Sequence, residues 1–107
     1  MPAPFTIRPY RGSDRASWLR CRLLGFFDTC YHDDVWTTRP TYHHPSIELV
    51  AGAPDQQVVG LIDVEISGAQ ATIETVAVHP DARRQGIAGA LLGRVLAALP
   101  PTVRTLN

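Results

Sequence analysis

The stretch Glu74-Thr-Val-Ala-Val-His-Pro-Asp-Ala-Arg-Arg-Gln-Gly-Ile-Ala-Gly89 decides the fold. Its first five residues are rich in β-branched side chains, as a strand is. His79-Pro80 ends that strand, because proline has no N–H to give to a ladder. A helix then starts at Gly86 and runs to Leu99. Ile87, Leu91, Leu92, Val95, Leu96 and Leu99 recur along it as a wide apolar stripe. A helix start carries unpaired N–H groups and the positive end of the dipole. Gly86 clears a side chain from the place where a ligand approaches the backbone. Arg83 and Arg84 add cationic donors beside it. Strand, basic loop and glycine-started helix together describe a cradle for a phosphate or pyrophosphate.

Two common phosphate loops are excluded. The P-loop ends in Gly-Lys-Ser/Thr, which this segment lacks. Gly86, Gly89 and Gly93 have the wrong spacing for the dinucleotide pattern G-x-G-x-x-G, and the preceding strands read as antiparallel. The remaining alternative is a turn with solvated arginines, which has no need of glycine at the helix start.

Upstream, Phe5-Thr-Ile7 alternates as a short strand, and Gly12-Ser13-Asp14 stops it and offers a helix cap. Ala16, Leu19, Leu23 and Phe27 then recur at helical spacing, which predicts an amphipathic helix with Arg15, Arg20 and Arg22 off its apolar stripe. Residues 28–45 mix Tyr31, His32, Asp33, Asp34, Trp36, Tyr42, His43 and His44 with Pro40 and Pro45. They read as a long loop with a short helix near 33–38, and a loop of that length usually has a function. Strands follow at 47–50, 58–66 and 71–78. The turns Gly52-Ala-Pro-Asp55 and Ser67-Gly68 make them antiparallel neighbours. Pro100-Pro101 ends the second helix, and Thr102–Leu106 is β-prone.

The chain has 107 residues, enough for one domain (1–107) with one core. Ten basic residues balance ten acidic ones, so charge gives no reason to expect nucleic acid or an anionic membrane as partner. The opening residues are too few and too polar for a signal peptide, and no apolar run approaches the roughly 18 residues of a spanning helix. A cytoplasmic protein with reduced thiols is expected. Cys21 and Cys30 are too widely spaced for a metal pair and His43-His44 has no partner at i+4, so no metal is expected.

Arg83-Arg-Gln-Gly86-Ile-Ala88 fits the signature Q/R-x-x-G-x-G/A of the GNAT N-acetyltransferases. Val76-Ala-Val78-His-Pro80 resembles the central strand and turn that precede it in that family, and Ala90-Leu-Leu92 is typical of the family's helix after the signature. The resemblance covers essentially the whole chain. It implies an α/β architecture of the α+β three-layer kind: the acyl-CoA N-acyltransferase fold, a mixed, largely antiparallel sheet with flanking helices. It also implies acetyl-CoA as acetyl donor and a primary amine of a small molecule or peptide as acceptor. By resemblance, the backbone of Val76, Ala77 and Val78 would pair with the pantetheine arm. Backbone N–H groups of Arg84, Gln85, Gly86, Ile87 and Ala88 would hold the pyrophosphate, with Gly89 in the first turn and Arg83 orienting the loop.

Transfer to an amine needs a proton acceptor. Glu74 is the candidate, on the strand the thioester should follow and, by period-2 alternation, on one face with residues 72, 76 and 78. Asp63 and Glu65 are second candidates, read as solvent-facing by the same alternation. Asp33 and Asp34 would favour a cationic amine, with Trp36 or Tyr42 as a wall. A domain of this family normally continues with another helix and two strands, and the later helix often carries a tyrosine as acid. The resemblance therefore predicts a domain incomplete at its C-terminus. Such a chain would be a fragment of a protein of conventional length, a short form that completes its sheet through a second copy, or a domain that binds acetyl-CoA without turnover, the first being the favoured reading.

Overall fold

A computed structural model of the chain describes residues 5–26 and 39–107. Five strands and two helices follow in order: β1 (Thr6–Pro9), α1 (Arg15–Phe26), β2 (Ser46–Gly52), β3 (Val58–Ser67), β4 (Gln70–Val78), α2 (Ile87–Ala98) and β5 (Thr105–Leu106). The strands form one sheet in sequence order. β1 to β4 are mutually antiparallel, and β5 joins β4 in parallel. The helices cover opposite faces, giving the expected three layers. The short helix expected near 33–38 lies outside the described residues.

On one face, Ile87, Leu91 and Val95 of α2 pack on Leu49, Ala51, Ile62, Val64 and Ala71. The apolar stripe is narrower than the sequence suggested, since Leu92 and Leu96 are exposed. The sheet admits the helix closely at Gly60, where a Cβ would overlap Cγ2 of Ile87. The first residue of α2 is thus seated directly on β3.

On the other face, α1 presents Trp18 and Cys21 to Val50, Val58, Leu61 and Ala77. This corrects the expected stripe. Ala16 and Leu23 are exposed, Leu19 is only partly buried, and Phe27 lies outside the described residues. Arg22, expected off the stripe, is buried and donates from Nε to Thr75 Oγ1 on β4 at 3.2 Å. The reason is chemical: the sheet offers a buried hydroxyl and a buried carboxylate on this side, and a guanidinium satisfies such groups where leucine cannot.

Asp14 fixes the start of α1. Its carboxylate takes two bonds from Arg8, at 2.7 and 2.8 Å, and a third from the Arg11 N–H at 2.8 Å. Ser17 Oγ accepts from Val58 N–H at 3.1 Å, anchoring the helix to the start of β3. Pro9 lies within β1 rather than beyond it, which an edge strand allows.

β4 departs from simple alternation. Asp63 faces Thr75 while Val64 faces Ile73, so Glu74 is an extra residue, a bulge in β4. Before it, Ala71 and Ile73 pack with α2; after it, Ala77 packs with α1 and Thr75 bonds to α1. Residues 72, 74, 76 and 78 therefore do not share one face, contrary to the period-2 expectation.

Candidate active site

The five residues 74–78 have a strand partner on one side only among the described residues. β5 pairs with Gln70 and Ala71, and its last contacts are Ile73 N–H to Asn107 O and Asn107 N–H to Ala71 O, each 2.9 Å. Past Ile73 the edge of β4 is open. The direction of its backbone groups follows from the ladder. His79 N–H donates to Val59 O at 2.8 Å. Antiparallel pairs alternate between bonded and unbonded. With Ala77 opposite Leu61, that pair repeats the bonded arrangement. Val76 and Val78, the intervening residues, turn their N–H and C=O away from β3 and toward the open edge. Ala77 itself is buried against α1, while the Val76 side chain is exposed.

The open edge leads into the basic loop. A short 3-10 turn over Pro80–Ala82 is capped by His79, whose Nδ1 accepts from Asp81 N–H at 3.1 Å. Arg84 (φ 66°) and Gly86 (φ 78°) are both left-handed, which is costly for arginine and natural for glycine. A Cβ on Gly86 would meet nothing in the protein, so the glycine answers to backbone conformation and leaves open space before the helix. Among the described residues no side chain caps α2, and the first helical bond is Ala90 N–H to Gly86 O. The N–H groups of Ile87, Ala88 and Gly89 thus precede the first turn's bonding. Ile87 is buried on β3; Arg84, Gln85, Gly86, Ala88 and Gly89 are exposed. Arg83 donates to Gly25 O at 3.2 Å and so ties the loop to the end of α1.

A second group of side chains lies on the α1 face beside the bulge. Asp63, expected to face solvent, is completely buried. Its Oδ2 accepts from Tyr42 Oη at 2.6 Å and sits 3.2 Å from Arg39 Nη1, while Oδ1 has no hydrogen-bond partner among the described residues. Arg39 also pairs with Glu48, and its guanidinium lies over the rings of Tyr10 at 3.9 Å and Trp18 at 4.2 Å. Burial pushes the Asp63 carboxyl above the usual carboxylate range, against the opposing pull of Tyr42 and Arg39. Burial, together with Asp63, raises the Tyr42 phenol as well, and the charge of Glu74 is felt there. Asp63 stands opposite Thr75, the residue after Glu74, so the Tyr42–Asp63 pair lies beside the bulge. Glu65 accepts from the N–H groups of His43 and His44 at 3.1 and 3.3 Å.

Reading from sequence missed Asp63, Arg39 and Arg22 as buried groups. The available signal was Leu61-Ile-Asp-Val64: one acid inside an apolar run marks a strand covered on both faces. Asp33, Asp34 and Trp36 lie outside the described residues. Cys21 is a core thiol, pushed up to about 12 by burial and unsuited to nucleophilic work. A cavity of about 370 Å³ opens between α1, the turn before β3 and the loop, lined by Arg20, Gln57, His79 and Gln85 among others. It borders the loop without reaching Tyr42, Asp63 or Glu74.

Residues 14–102 match the model of the acetyltransferase (GNAT) family. The chain belongs to that family. Solved structures agree on the fold. One similar structure is an acetyltransferase of Trypanosoma brucei, with TM-score 0.73 and 16% identity over 96% of this chain and 80% of that one. A GNAT acetyltransferase of Brucella melitensis, in complex with acetyl-CoA, gives 0.67 and 22% over 90% and 68%. The aminoglycoside antibiotic 6'-N-acetyltransferase of Acinetobacter baumannii gives 0.65 and 23% over 96% and 78%. No curated protein sequence matches significantly. For this GNAT chain, no helix among the described residues is long and apolar enough to cross a membrane.

Proposed function

We propose that the chain is an amine N-acetyltransferase that moves an acetyl group from acetyl-CoA to a primary amine of a small molecule or peptide by direct attack. One observation carries the reading: an open strand edge, with the backbone of Val76 and Val78 turned outward, runs straight into an uncapped helix start flanked by Arg83 and Arg84. An edge offers the pantetheine amides a strand to pair with. The helix start and loop, from Arg84 to Gly89, offer N–H groups to the pyrophosphate. Arg83, held on Gly25 O, orients that loop and adds charge. From Val78 to Glu74 the strand covers about 13 Å, which brings the arm's far end to the bulge.

At the bulge, Glu74 takes a proton from the acceptor's ammonium. The freed nitrogen lone pair forms the new C–N bond, the C–S bond breaks, and the second proton, lost by the now cationic nitrogen as the amide forms, goes to the departing thiolate. Glu74, the extra residue of the bulge, is exposed rather than packed in either core, next to the strand position that Asp63 and Tyr42 cover.

The test is amine-dependent release of free thiol from acetyl-CoA. Glu74→Gln should lower kcat by about 10²–10⁴-fold with acetyl-CoA binding retained, the usual range for losing a general base. Binding of acetyl-CoA with no thiol release for any amine would favour a binding module without turnover. No binding at all would overturn both.

A further inference from the structure

Tyr42 and Asp63 form a hydrogen-bonded pair in which the phenol donates to the carboxylate. A phenol has one proton and two lone pairs. The Tyr42 proton is committed to Asp63 Oδ2 at 2.6 Å, and this is the hydroxyl's one bond among the described residues. Asp63 cannot turn to another donor from solvent, because it is completely buried; its other oxygen is already unsatisfied among the described residues. Tyr42 is half-buried, and its partner Asp63 stands opposite Thr75, the residue after Glu74. The surrounding charges are Arg39 on the segment before β2, Glu48 on β2, Glu65 on β3, Arg22 on α1 and Glu74 on β4. Arg39 is engaged by Glu48 and Asp63, and Arg22 by Thr75. Among the described residues, carboxylates outnumber guanidiniums on this side, and both guanidiniums are occupied.

We propose that Tyr42 selects the acceptor: its hydroxyl receives an N–H of the incoming amine beside Glu74, and Asp63 acts as a positioning residue that keeps it a hydrogen-bond acceptor. The pair favours a cationic amine without a neighbouring carboxylate. An α-carboxylate brought to Tyr42 would find no free proton there and would face Glu74 and Glu65. The substrate class is therefore amines and amino amides or peptides, with free α-amino acids rejected. This rests on the acetyltransferase reading above and names the acceptor for the same site.

The experiment measures thiol release by the full chain with an α-amino amide and the matching α-amino acid. The wild-type kcat/KM ratio should favour the amide by tenfold or more. Tyr42→Phe should reduce that preference at least threefold, with acetyl-CoA affinity within twofold of wild type. Asp63→Asn should reduce it in the same direction, since an asparagine amide can turn its NH2 to the phenol and free the Tyr42 proton. A purely structural role would weaken both substrates equally and leave the ratio alone. Equal use of amide and acid by the wild-type protein overturns the proposal without need of any variant. An unchanged ratio in a folded Tyr42→Phe also overturns it, leaving the acetyltransferase reading intact. Absence of thiol release with every amine overturns that reading, and this proposal with it.

Discussion

Asp14 and Asp63 are both buried and both meet an arginine, yet their protons move in opposite directions. For Asp14 the paired hydrogen bonds from Arg8 outweigh burial and lower the carboxyl below its ordinary value. For Asp63 burial outweighs Tyr42 and Arg39 and raises it. By linkage, the Asp14 contribution is present above the ordinary carboxylate range and is lost as pH falls through the lowered value. The folded state holds a proton on Asp63 more tightly than the unfolded chain does, so that group's contribution falls as pH rises from about 4 upward. Urea midpoints across pH should show both signs. Asp14→Asn should cost about 1.5–3 kcal/mol at neutral pH, with the gap to wild type closing in acid. Asp63→Asn should gain on wild type as pH rises; a gap independent of pH would contradict the assignment. Gly86→Ala puts a Cβ at φ 78°. It should destabilise by about 1–2 kcal/mol and weaken acetyl-CoA binding, measured by unfolding and by calorimetric titration. Gly86 was legible in sequence because its neighbours explain it. Asp63 was misjudged because alternation alone sends an acid to solvent, while the apolar residues on both sides of it already marked a strand covered on both faces.

At the scale of elements, the two helices differ in how far their sequences disclosed them. α2 has a helical repeat of large aliphatic side chains, and its buried members Ile87, Leu91 and Val95 were all among those anticipated. Its outer members were overcounted, since Leu92 and Leu96 stand clear of the sheet. Leu91→Ala should cost about 2–5 kcal/mol and Leu96→Ala less than about 0.5 kcal/mol, read from chemical denaturation. Comparable losses at both positions would mean that Leu96 is covered in solution. α1 was found as a helix but with the wrong face inward. Its inner side carries Asp14 just before its first turn, then Trp18, Cys21 and Arg22, and a stripe built from aliphatics alone passes between them. The bond from Arg22 to Thr75 is tertiary, and nothing local in either segment announces it.

For the molecule as a whole, the short turns between β2, β3 and β4 disclosed strand order and direction, and the family signature disclosed the layers. The fork between β4 and β5 was not legible, because two residues of parallel pairing leave almost no trace in composition. Neither was the bulge, which arises from partners on both sides of β4. Yet the bulge sets how the sheet's two faces are shared out. With Glu74 inserted, the first half of β4 gives Ala71 and Ile73 to α2, and the second half gives Thr75 and Ala77 to α1. The strand is thereby unforgiving of length everywhere but at the bulge. Removing Glu74 alone would regularise the ladder and leave both halves on their own faces, because Ile73 and Thr75 already stand opposite the adjacent residues Val64 and Asp63; removing another residue of the strand would turn part of it inside out. Point substitutions along β4 should be graded in effect. A single-codon deletion at 72 or 76 should abolish soluble protein, whereas deletion of Glu74 should be tolerated, and an indel scan scored by solubility would map the bulge without any structure in hand.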